Sequence, residues 1–168
     1  FSLANSNGSV LSKSYIYDMI RPGIGLYGGN NNNKLLSQKI KPVVTLSGKI
    51  IQIKFINKNE YIGYNQTYKT NKKIKIAIIG IGYADGVPRL LSNKGKVYYK
   101  NEIFKIIGRI SMDSLTIDIS KTKNDIKVGM YVDLINNKYD IEKFASECKT
   151  ISNEVITSIS KRVKRVYV

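Results

Sequence analysis

At 168 residues the chain has the length of one domain, or of one domain with an appendage. It carries 28 Lys and Arg against 12 Asp and Glu, a formal charge of +16, with no histidine and a single cysteine. These counts exclude His-based triads, His-ligated zinc or haem, an internal disulfide and a Cys cluster, while a hydrophobic content of 42% is enough for a packed core.

The first segment, 1–29, opens on Ser, Asn and Gly. Apolar residues follow at Val10, Leu11, Tyr15, Tyr17, Met19 and Ile20, which predicts a short helix, and 24–27 between glycines predicts a short buried strand. The stretch 28–34, Gly-Gly-Asn-Asn-Asn-Asn-Lys, is the most turn-like in the chain and the predicted domain boundary. Beyond it the pattern is β. Strands are predicted over 43–56, with an Asn57-Lys58-Asn59 turn after it, and over 73–81, 96–99, 104–110, 115–119 and 128–135. Short strands with turns every ten or so residues predict an antiparallel sandwich or barrel rather than βαβ units. Two short helices are predicted, over 141–148 with Asp140 as N-cap and from Ser152 to about Lys161, and 163–168 alternates as a last strand. The fold class read from this pattern is mainly β.

Only five cations are arginines: Arg21, Arg89, Arg109, Arg162 and Arg165. The lysines run along the whole chain without dense arginine-bearing blocks, which favours an ordinary lysine-rich surface over a nucleic-acid arm. The longest apolar run, 74–81, is broken by Lys75 and Gly80 and is far shorter than the roughly 20 residues of a membrane helix. The opening Phe-Ser-Leu-Ala-Asn-Ser has neither an initiating Met nor a charged leader, as expected of a chain that starts within a longer protein.

Four motifs invite a chemical reading, each beside a plainer one. Gly80-Ile-Gly82-Tyr-Ala-Asp-Gly86 follows a strand but misses the dinucleotide spacing by one residue and lacks the crossover helix. It offers instead Tyr83 and Arg89 on a Gly-rich loop, or a turn that merely bends the sheet. Tyr61 to Tyr68 is a tyrosine-dense turn in which Tyr64 reads, on composition, as a packing residue. Gly108-Arg109-Ile-Ser-Met112-Asp113 sets an arginine and a carboxylate around a methionine, and its plain reading is a surface ion pair beside a core Met. Arg21-Pro-Gly23-Ile24-Gly25 leads an arginine into a backbone that can approach an anion closely.

Taken in order, Ala4-Asn5-Ser6, Arg21 to Gly28, Gly63-Tyr64-Asn-Gln-Thr-Tyr68, Ile81 to Arg89 and Ile107 to Asp113, with Ser160-Lys-Arg-Val163 at the end, resemble the C-terminal portion of the alanine racemase family. The resemblance spans essentially the whole chain. It implies a pyridoxal-phosphate-dependent isomerase that interconverts L- and D-alanine through a cofactor aldimine and supplies D-alanine for peptidoglycan in the cytoplasm. It also implies that 1–29 is the last segment of an N-terminal (β/α)8 barrel and 30–168 the C-terminal, mainly β domain.

By the same resemblance Arg21 hydrogen-bonds the cofactor's pyridine nitrogen, where a guanidinium never gives up its proton and so weakens the electron sink. Ser6, Gly23 and Ile24 hold the phosphate. Lys161 stands where some members carry a phosphate-contacting tyrosine, and it has no assigned role. Tyr64 is implied as the acid–base group on one face of the substrate α-carbon. A free phenol titrates near ~10, so that task requires cations or hydrogen bonds that favour phenolate. The second acid–base group is the family's Schiff-base lysine, which lies outside this chain together with a barrel histidine. Met112 is implied to offer its backbone N–H to the substrate carboxylate, Tyr83 to wall the substrate entrance, and Arg89 and Arg109 to line the way in. Each active site of the family combines one subunit's barrel with the other's C-terminal domain, which implies a head-to-tail homodimer and an inactive isolated chain. No metal, nucleic acid or membrane partner is expected. The competing readings are a basic β-barrel that binds nucleic acid, on the strength of Tyr98-Tyr99-Lys100, and an inactive fragment of a related racemase.

Overall fold

In the computed structural model, which describes residues 1–167, the Ile- and Val-rich segments form most of the predicted strands, and a short unpredicted hairpin flanks the Tyr64 turn. They are β1 (Leu46–Ile56), β2 (Tyr61–Ile62), β3 (Tyr68–Lys69), β4 (Ile74–Ile79), β5 (Lys96–Tyr99), β6 (Glu102–Lys105), β7 (Leu115–Asp118) and β8 (Tyr131–Ile135). Six of them make one sheet in the order β6-β5-β8-β1-β4-β7. An antiparallel bridge between Ile106 and Ile117, with the Ile107 N–H donating to Thr116 O at 2.9 Å, brings the two ends together, so the sheet nearly closes on itself. The expected mainly β, barrel-like class is what the chain adopts.

Side-chain alternation decides what the sheet encloses, because successive residues face opposite sides. Ile76, Ile79, Val97, Ile117 and Leu134 are buried almost completely, and each such side chain contributes roughly 2–3 kcal/mol of burial free energy. The β1–β4 register slips by one residue between Ile50 and Gln52, a bulge that turns Ile51 out to solvent while Ile50 stays inside. A smaller cluster of Ile62, Ile74, Ile76 and Ile107, with Ile56 and Tyr68 against it, seats the β2–β3 hairpin.

Helices α1 (Lys34–Ser37), α2 (Ile141–Glu147) and α3 (Ser152–Ser158) complete the fold. Asp140 caps α2 as predicted, its Oδ1 accepting from Lys143 N at 3.0 Å, and Ile141, Phe144 and Ala145 form the buried face. Asn33 caps α1 in the same way, so the Asn-rich stretch ends in a helical turn. The chain divides into two compact units, 1–45 with 135–157 and 46–134 with 158–168.

Four predicted elements differ. The 104–110 strand stops at Lys105, because Gly108 (φ 75°) turns the chain through the left-handed region. The N-terminal helix resolves into short 3-10 turns at Gly8–Val10 and Lys13–Tyr15. Ile24–Tyr27 is a 3-10 turn rather than a strand: Gly28 N and Gly29 N bond back to Gly25 O and Ile24 O, so the carbonyls a ladder would need are used locally. Over 163–167 there is no strand among the described residues, and Val168 lies outside them. There the Arg165 guanidinium donates to the carbonyls of Ile159, Ser160 and Val163, which replaces a ladder partner.

Candidate functional site

Unit 46–134 with 158–168 gathers three of the motifs. The β2–β3 hairpin carries the Tyr64 loop, and the loop's path is left-handed at Gly63 (φ 75°), Asn65 (φ 59°) and Gln66 (φ 52°). A Cβ on Gly63 would lie 2.8 Å from Arg109 N, and one on Gly108 (φ 75°) would lie 2.7 Å from Ile62 O. The hairpin and the 108–109 turn therefore touch backbone to backbone, which only glycine permits at both positions. Asn93 fastens the pair, accepting from Gly108 N at 2.6 Å and donating from Nδ2 to Thr67 Oγ1 at 3.2 Å. Ser92 Oγ accepts from Ile110 N at 3.0 Å, so the turn that follows Arg89 braces the Arg109 segment.

The result is an open pocket of about 340 Å³ lined by Gly63, Tyr64, Arg109, Ser111, Ser114 and Thr116. Tyr64 is 69% exposed, which overturns its plain reading as a packing residue. The ion-pair reading of Arg109 and Asp113 also fails. Asp113 pairs with Arg162 at 2.5 Å, and among the described residues the Arg109 side chain has no carboxylate partner. Met112 is 51% exposed rather than a core residue. Its carbonyl accepts from Ala84 N at 3.0 Å, and its own N–H has no acceptor among the described residues. Arg89 lies over the Tyr83 ring, 5.9 Å from its centroid, a cation–π contact that joins those two motif residues.

Sequence reasoning missed Asp85, Arg162 and Asn93. Asp85 is buried and accepts from Gly82 N at 2.8 Å and from Arg162 Nε at 2.6 Å. Hydrogen bonds that Arg162 donates to Asp85 and then to Asp113 raise its pKa and hold the guanidinium charged. The signal was an acidic residue inside a Gly-rich turn, but its partner lies 77 positions away, beyond any local pattern.

Unit 1–45 with 135–157 contains a second, smaller pocket, about 170 Å³, lined by Asn5, Ser6, Asn7, Arg21, Gly23, Ile24, Asn31 and Asn153. Ser6 is buried, and its hydroxyl oxygen accepts from Gly23 N at 2.9 Å and Gly25 N at 3.1 Å. With both lone pairs engaged, what that hydroxyl still offers is its proton, the polarity a phosphate requires. Arg21 is held by Ser2 Oγ and Leu3 O, each at 3.2 Å, and its backbone N–H donates to Ala4 O. These residues fit a phosphorylated cofactor: a hydroxyl donor, a glycine-rich backbone and a guanidinium share one pocket. Asn31 and Asn153 on the rim, joined at 2.8 Å, were not foreseen.

Other features carry no comparable chemistry. A cavity of about 720 Å³ opens near β6 and β7, lined by Lys72, Lys105 and Lys121 with Glu102 and Asp118; Tyr64 and Arg109 do not reach it. The Glu102 carboxylate there already accepts from Thr122 Oγ1 at 2.5 Å and Lys123 N at 2.7 Å. Burial, then Glu147 and Glu154, push the Cys148 thiol up to about 12, so it is no nucleophile at neutral pH. Lys161 is exposed. Among the described residues there is no group of three metal-ligating His, Cys, Asp or Glu side chains, and no helix long and apolar enough to cross a membrane.

Residues 43–167 match the family model described as alanine racemase, C-terminal domain. An alanine racemase of Brucella canis is 41% identical over 99% of this chain, which spans 46% of that relative. Among solved structures, an alanine racemase of Bartonella henselae with covalently bound pyridoxal phosphate superposes with a TM-score of 0.89 at 38% identity, covering 99% of this chain and 46% of that one. An alanine racemase of Clostridium difficile gives 0.90 at 36% identity, covering 99% and 44%. The chain thus spans about half the length of the curated relatives it matches.

Proposed function

This chain belongs to the alanine racemase family, and we propose that it is the C-terminal portion of a racemase that interconverts L- and D-alanine. The observation that carries the reading is the Tyr64 pocket: an exposed phenol on a backbone-locked loop, in a pocket it shares with an arginine that has no carboxylate partner among the described residues. An exposed phenol on a rigid loop can take up and return a proton at one fixed point.

In this reading Tyr64 Oη takes or returns the proton of the substrate α-carbon on one face. The Met112 N–H receives the substrate carboxylate, Tyr83 walls the entrance, and Arg89 and Arg109 line its approach. The Ser6 hydroxyl and the Gly23 and Ile24 backbone hold the phosphate of pyridoxal phosphate, and the Arg21 guanidinium addresses its ring nitrogen. When bound, the cofactor supplies the electron sink that acidifies the α-carbon. Residues 1–29 belong to the end of a (β/α)8 barrel, which supplies the lysine for the opposite face, and 30–168 form the second domain. A head-to-tail homodimer completes two sites, with Tyr64 of one chain working beside the cofactor held by its partner. The product D-alanine serves peptidoglycan synthesis in the cytoplasm.

The test is a fusion of this chain behind the N-terminal portion of the Brucella canis relative. The fusion is expected to convert L-alanine to D-alanine with added pyridoxal phosphate, and the chain alone to convert none. A folded, cofactor-bound fusion without turnover, or turnover by the chain alone, contradicts the reading.

A further inference from the structure

We infer that Arg162 is the positioning residue of the Met112 substrate anchor, holding its N–H in line. The inference rests on the proposed role of Met112.

The planarity of the peptide unit couples the two groups. Ser111 C=O and Met112 N–H belong to one trans peptide and point in opposite directions. The Tyr83 N–H donates to Ser111 O and the Ala84 N–H to Met112 O, both at 3.0 Å, so two consecutive peptide planes are clamped by one turn. The contact is close: a Cβ on Gly82 would lie 2.4 Å from both Ser111 O and Met112 O. What aims the Met112 N–H is therefore the placement of the 82–85 turn.

Arg162 fixes that turn from both ends of the contact. Its Nε and Nη2 donate to Asp85 Oδ1 and Oδ2 at 2.6 and 3.3 Å, while Asp85 Oδ2 caps Gly82 N. Nη2 also donates to Asp113 Oδ1 at 2.5 Å, and Asp113 is the residue after Met112. Ser160 N reaches Asp85 O at 3.4 Å, which brings the C-terminal segment to the same turn. One guanidinium thus bridges the turn that clamps Met112 and the residue that follows it. A lysine, with a point charge instead of a fork, cannot span both carboxylates in this geometry.

The experiment uses the full-length enzyme with its cofactor, measuring KM and kcat for both alanine enantiomers, melting temperature, and binding of acetate as a non-reacting carboxylate. Arg162→Ala is expected to raise KM and weaken acetate binding by about tenfold, the size of one lost charge-assisted hydrogen bond, with kcat changed much less. Arg162→Lys is expected to recover part of that loss. Unchanged KM and acetate affinity in a folded Arg162→Ala enzyme overturn the inference. If that variant does not fold, Asp113→Asn, which weakens one arm, is expected to shift KM in the same direction, and an unchanged KM there overturns it equally. Met112→Pro removes the N–H itself. If that variant folds and binds acetate normally, the anchor reading is what fails, whatever Arg162 does.

Discussion

The pocket beside Tyr64 stands on a sheet that nearly closes on itself, with its loops locked by backbone contact at Gly63 and Gly108. The pocket beside Ser6 is assembled from 3-10 turns and side chain–backbone bonds, among neighbours such as Phe1, Leu26 and Tyr27 whose apolar surfaces face solvent. The first is locked by backbone contact within its sheet unit; the second is tied by hydrogen bonds from side chains, among them Ser6 with Gly23 and Asn31 with Asn153. A rigid sheet suits a group that must be aimed at a reacting atom, whereas a bound anion can itself order a turn by engaging its N–H groups. The difference predicts that substitutions in the first region act through geometry, and those in the second through ligand affinity.

The largest effect expected on this contrast is at Gly63. A Gly63→Val substitution places a β-branched residue at φ 75° with its Cβ 2.8 Å from Arg109 N, and it is expected to destabilise the sheet unit by roughly 2–4 kcal/mol. Urea unfolding read on the strands checks this, and an unchanged midpoint would mean that the hairpin and the Arg109 turn are not locked together. A smaller effect is expected at Ser6. Ser6→Ala removes the donor but little volume, so full-length enzyme carrying it is expected to bind pyridoxal phosphate about tenfold more weakly, with the melting point of the cofactor-free form lowered far less. Equilibrium dialysis decides it, and a variant whose cofactor affinity is unchanged removes Ser6 from the site.

The smallest effect concerns pH. Bonds from Lys123 N, then Thr122 and Asn124, hold the Glu102 carboxyl at about 2 instead of 4.5. A carboxylate with a depressed folded pKa contributes stability that is fully present above its unfolded value and is lost as pH falls through the folded one. Between about pH 4.5 and about 2 the wild type is therefore expected to lose stability with acid more steeply than Glu102→Gln. Equal slopes in acid titrations followed by circular dichroism would contradict that account.

Much of the β architecture was legible because alternation and turn residues recur along 46–135, and the Asp140 cap is a local signal that needs no tertiary information. The failures have a common cause. Ile24–Tyr27 looks like a strand by composition, but its carbonyls bond within the turn. The 163–167 segment alternates, yet Arg165 satisfies backbone carbonyls that a neighbouring strand would have taken. In both places short-range hydrogen bonds outcompeted a pattern that records only apolarity. At the sites, Tyr64 and Arg109 were visible as motif residues, but composition pointed Tyr64 inward and paired Arg109 with Asp113. Exposure of the Tyr64 ring corrected the first, and the bridge from Arg162 to Asp113, formed across 49 positions, corrected the second.

The central claim is that Tyr64 handles the proton on one face only, and α-hydrogen exchange tests it most directly. Full-length Tyr64→Phe enzyme, loaded with cofactor and incubated in deuterium oxide with each enantiomer separately, is expected to retain exchange of one enantiomer's α-hydrogen. Exchange of the other, and net racemisation, should fall by about 10²–10⁴, the usual worth of a positioned acid–base group. Equal retention or equal loss of exchange for both enantiomers would contradict the assignment.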